Sequence, residues 1–185
     1  MKHTAIAIHA VIALALLSAT PAASAADVTV QVTSISASMA KAPPAAVRGA
    51  SEAKGITVDP KLATFDRKLR SLFAYRRYSF LGESKSESPF GEMCSFTLPE
   101  HFALEVEPQR VEVADGEERI EMLVTLFRRP SPPVASLAEG DAPALRPERE
   151  VVLRTRIRLE NGGTVLLGGP PMQNGVLILA LSARR

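Results

Sequence analysis

Beyond residue 26, apolar and polar residues alternate along most of the chain, the period of two that marks strands with one buried face. Val28, Val30 and Val32 interleave with Thr29, Gln31 and Thr33 and predict a strand over residues 27–36. The period returns at Tyr78 and Phe80, at Cys94, Phe96 and Leu98, and at Phe102, Leu104 and Val106. Val111 and Val113 run into Ala114-Asp115-Gly116-Glu117, and Ile120, Met122, Val124 and Leu126 run out of it. An Asp-Gly pair between two alternating runs predicts an antiparallel hairpin, because both residues tolerate positive φ. Further on, Val151, Leu153, Thr155, Ile157 and Leu159 occupy one face of a strand and Arg154, Arg156 and Arg158 the other. Asn161-Gly162-Gly163 reads as a hairpin turn into a return strand over 164–167, and the stretch from Gly168-Gly169-Pro170-Pro171 to Asn174-Gly175 as a second turn. The apolar run 176–181 carries no alternation, which predicts a central strand covered on both faces.

One segment follows a different period. Leu62, Phe65, Leu69, Leu72 and Phe73 recur at three- and four-residue spacing and define the apolar face of a helix, with Asp59 to cap it and Pro60 at its first position. Lys61, Asp66, Arg67, Lys68 and Arg70 form its solvated side, with Asp66 and Arg70 spaced to pair. Residues 42–55 and 129–148, rich in Pro, Ala, Gly and Ser, read as flexible loops. The expected class is α+β: a mainly antiparallel sheet or partial β-sandwich of about eight strands with one amphipathic helix packed on it.

The first 25 residues belong to another pattern. Lys2 precedes an apolar core, and Ala23-Ser24-Ala25 supplies a small-residue cleavage site, so residues 1–25 read as a cleavable signal peptide. The core is too short to span a bilayer, no cysteine stands at the cleavage point for acylation, and no later segment has transmembrane length. The expected location is periplasmic or secreted, with residues 26–185 as a single β-rich domain. A formal charge of +2 over the whole chain supplies no field for nucleic acid.

Little in the remaining composition carries chemistry. His3 and His9 fall in the signal, leaving His101 in a turn, so a two-histidine metal site or a histidine-rich catalytic pocket is not expected. Cys94, the one cysteine, shares a face with Phe96 and Leu98 and reads as a buried thiol. Glu105, Glu107, Glu112, Glu118 and Glu121 are scattered over strands and turns with no calcium-loop spacing, and the Gly pairs lack the Lys-Ser/Thr of a phosphate loop. No catalytic residue, cofactor or metal is expected from these patterns.

The most unusual feature is the stripe Arg154, Arg156 and Arg158, three guanidinium groups on one strand face that repel each other unless acids face them. Two readings follow: cross-strand pairing with the glutamates, or a docking face for an envelope protein or an anionic envelope polymer. The run Asn161-Gly162-Gly163-Thr164-Val165-Leu166-Leu167-Gly168-Gly169-Pro170 with its following apolar strand resembles the strand pair near the end of the outer-membrane secretin core, over about 25 residues. The lip and membrane-facing strands that continue the secretin pattern do not follow, so no pore function is inferred. The expected function is a non-enzymatic interaction module or accessory subunit of an envelope assembly. An envelope hydrolase or transferase using clustered carboxylates, and an adhesion or polysaccharide-binding domain, are the alternatives. Strand addition at an exposed 27–36 edge is a further reading. Mass spectrometry of the exported protein is expected to find an N-terminus at Ala26; retention of residues 1–25 would refute cleavage.

Overall fold

The computed structural model describes residues 27–39, 51–53, 55–129 and 149–185. The expected signal peptide, nearly all of 129–148 and most of 42–55 lie outside these residues. Two sheets stack face to face. The first has six strands: β1 (Val28–Ser38), β2 (Ser51–Ala53), β3 (Ile56–Val58), β4 (Arg77–Ser88), β9 (Thr164–Met172) and β10 (Gly175–Arg184), in the order β2-β3-β4-β1-β10-β9. The second has four, in sequence order: β5 (Cys94–Thr97), β6 (Phe102–Ala114), β7 (Glu117–Arg128) and β8 (Glu150–Glu160). All pairings are antiparallel except the short one between β3 and β4. The class is α+β, as the alternation implies.

The core between the sheets draws mainly on β1, β10, β6 and β7, with Cys94 and Phe96 of β5 and Leu159 of β8 joining it. Val28, Val30 and Val32 of β1 and Leu177, Leu179 and Leu181 of β10 meet Phe102, Leu104 and Val106 of β6 and Ile120, Met122, Val124 and Leu126 of β7. The intervening residues of β1 and β10 face the other way. Ile35, Ala37, Ile178 and Ala180 form a second core with Val58, Tyr78, Leu62 and Leu69, beneath the helical segment. β10 is therefore buried on both faces and flanked on both edges, as its unbroken apolar run implies. β1 is flanked too, by β4 and β10, so the exposed edge expected at 27–36 does not exist.

The helical segment begins as a 3-10 helix over Pro60–Phe65, whose cap Asp59 accepts a bond from the Lys61 amide at 3.0 Å, and continues as α1 (Asp66–Leu72). Of the expected apolar face, Leu62 and Leu69 are buried, whereas Leu72, in the last turn, is 63% exposed. Tyr78, 1% exposed, sends its hydroxyl to the C-terminal end of α1, within 3.1 Å of the Leu69 carbonyl and 2.9 Å of that of Phe73. It thereby ties helix to sheet, giving the Leu69 carbonyl a second donor beside the Phe73 amide and giving the Phe73 carbonyl at the helix end a partner.

The turns divide into expected and unexpected. Asp115 and Gly116, with φ of 56° and 79°, make the two-residue hairpin turn between β6 and β7. Asn161-Gly162-Gly163 is not a hairpin turn: β8 lies in the second sheet and β9 in the first, so these residues carry the chain across the sandwich. The expected turn from Gly168 shrinks to Gln173-Asn174, because Gly168 to Met172 belong to β9. Pro170 and Pro171 fit there since β9 is an edge strand with no ladder to donate to on its outer side. Gly175, which opens β10, has φ of 141°, and a Cβ there would overlap the Ala37 carbonyl oxygen, so the close approach of β1 to this turn requires glycine. Residues 51–53, expected within a loop, form β2 against β3.

Tyr78→Phe is expected to lower unfolding free energy by about 1 kcal/mol in urea titration, the loss of the hydroxyl's bonds to the Leu69 and Phe73 carbonyls. No change would show that the hydroxyl contributes nothing net to holding the helix on the sheet.

Candidate functional site

The outer face of the second sheet gathers the charges. Along β6 the alternating buried positions are Phe102, Leu104, Val106 and Pro108; the register then shifts between Pro108 and Arg110. This bulge leaves Gln109 unmatched and turns Arg110 to the outer face, opposite Glu121 of β7. On the other side of β7, Arg158 of β8 also stands opposite Glu121, and Arg156 lies diagonally from it, opposite Leu123.

Glu121 thus receives three arginines: Arg110 at 3.1 Å, Arg158 at 3.1 Å and Arg156 at 3.3 Å. Glu112 shares two of them, Arg110 at 2.7 Å and Arg158 at 3.7 Å. The arginines cover Glu121 so fully that it is 2% exposed on an outward-facing position. Burial alone would push its carboxyl up, but the bonds from Arg110 and Arg158 outweigh burial and hold it below the ordinary carboxylate range. Arg110 is in turn held above its ordinary value, first by its bond to Glu121 and then by the charge of Glu112.

Two of the three stripe residues, Arg156 and Arg158, therefore join one cluster. Arg154 does not: it stands opposite Thr125, and no described residue forms an ion pair with it. It lines a shallow depression of about 320 Å³ with Glu105, Glu107, Leu123 and Phe127. Glu105 is occupied by Arg149 at 2.8 Å. Cross-strand pairing with glutamates accounts for Arg156 and Arg158 and leaves Arg154 unaccounted for.

Sequence reasoning alone does not single out Arg110, although a signal for it is present. The apolar parity changes between Val106 and Val111, which requires an extra residue in the strand, and Pro108 marks the place.

The other candidate groups are far less connected. Cys94 is buried, donates from Sγ to the Val106 carbonyl at 3.2 Å, and has its thiol pushed up by burial. His101 is exposed in the turn between β5 and β6, where it and Glu100 hold positive φ of 64° and 52°. The Glu100 carboxylate accepts the Gln173 amide at 3.0 Å, joining this turn to the one between β9 and β10. Among the described residues no three His, Cys, Asp or Glu side chains gather as a metal site, and no helix is long and apolar enough to cross a membrane. Comparison with known proteins finds no matching family model, curated relative or solved structure.

Because the Glu121 carboxyl is depressed in the folded chain, its contribution to stability is present above the unfolded value of about 4.3 and is lost as pH falls through the lower folded value. Glu121→Gln should therefore lower stability at neutral pH and flatten its decline below about pH 4. Parallel acid titration curves for the two proteins would refute this.

Proposed function

We propose that the chain is a non-enzymatic interaction module of the cell envelope, periplasmic or secreted, acting as an accessory subunit that docks an acidic partner on the arginine face of its second sheet. The observation that carries this reading is the arrangement around Glu121. Three guanidinium groups stand over two carboxylates, which leaves the cluster one positive charge in excess, and Arg154 stands further along the same strand face with no ion pair among the described residues. Arg156 and Arg158 reach Glu121 through Nε and remain 61% and 58% exposed, so their outer nitrogens point to solvent from fixed positions. Guanidinium groups already held in place lose little freedom when an anion binds.

The hydrolase alternative draws less support from the same geometry. A general acid needs a carboxyl raised toward neutrality, whereas Glu121 is held down and both it and Glu112 are engaged by arginines.

Arg154 has no ion pair to lose among the described residues, so Arg154→Glu should leave stability within about 0.5 kcal/mol of the parent. The same change should reduce recovery of an acidic envelope partner in cross-linked pull-downs by about fivefold, with the loss mimicked by added salt. Unchanged recovery with Arg154→Glu would overturn the docking reading.

A further inference from the structure

β8 ends the second sheet, so one edge of an eleven-residue strand has no strand beside it among the described residues. The other edges differ. β9 carries Gly168, Gly169, Pro170 and Pro171 and an irregular register, β5 and β2 span four and three residues, and the open part of β4 is interrupted by Gly82 and a bulge at Leu81. Such features discourage pairing with another chain. β8 has no Gly or Pro, and its register against β7 runs without interruption from Leu153 to Glu160.

Both faces at this edge are incomplete. Outward stand Arg154, Arg156 and Arg158. Inward, Leu153 and Ile157 of β8 and Val165 and Leu167 of β9 pack on the core yet remain only partly buried. A second copy of β8 would set arginine against arginine, which disfavours self-pairing. A strand with acids on one face and aliphatic residues on the other meets both needs.

We infer that β8 accepts an extended acidic polypeptide as a fifth strand of the second sheet, with Asp or Glu set against Arg154, Arg156 and Arg158 and aliphatic residues laid beside Leu153 and Ile157. The inference rests on the docking reading above and adds the backbone as a recognition element.

The test uses a blocked peptide of alternating Glu and Val, about seven residues long to match 153–159 at roughly 3.3 Å per residue, and an analogue N-methylated at alternate amides. Charge is the same in both. The parent peptide should bind, the analogue about tenfold more weakly, and amide exchange in β8 should slow on binding. Equal binding of both peptides, lost in Arg156→Glu, overturns strand addition while leaving the docking reading intact. Binding of neither overturns both, and retention of heparin without either peptide assigns the surface to polysaccharide instead.

Discussion

The pairing of β1 with β10 is the constraint on which the other layers depend. Val32 sits beside Leu181 and Ile35 beside Ile178, so the pair sends one set of side chains to the second sheet and the other to the helix. Each core is closed by a different partner, yet both are anchored on the same two backbones. Loss of register by one residue would exchange the two sets and place Ser and Thr in both cores.

The second sheet solves a different problem, since only its inner face has a core to meet. Its outer face is held by charge, and two irregularities arrange it: the bulge at Gln109 and the shift between Leu126 and Phe127. The first turns Arg110 outward while keeping Val111 with the apolar residues. Glu121 is then a buried acid only because three long side chains fold over it.

Strand identity is legible in the sequence because alternation reports burial directly: Val28 to Val32, Phe102 to Val106 and Ile120 to Leu126 all lie where their periods imply. Sheet membership is not. Asn161-Gly162-Gly163 has hairpin chemistry, but a turn motif specifies local backbone direction and not which sheet receives the next strand. The same limit applies to β1, whose alternation suits an edge as well as an interior strand. At the site, the arginine stripe is plain in the sequence, while its focus on Glu121 depends on a register that only long-range pairing fixes.

The same β1–β10 pairing bears on the order of assembly. The hairpin of β6 and β7 closes over two residues, whereas β1 meets β10 only after roughly 150 intervening residues, the kind of contact that forms late and slowly. Until β10 arrives, neither core is complete. A chain still being made would stay open until β10 is available, an unfolded interval that suits the export proposed above.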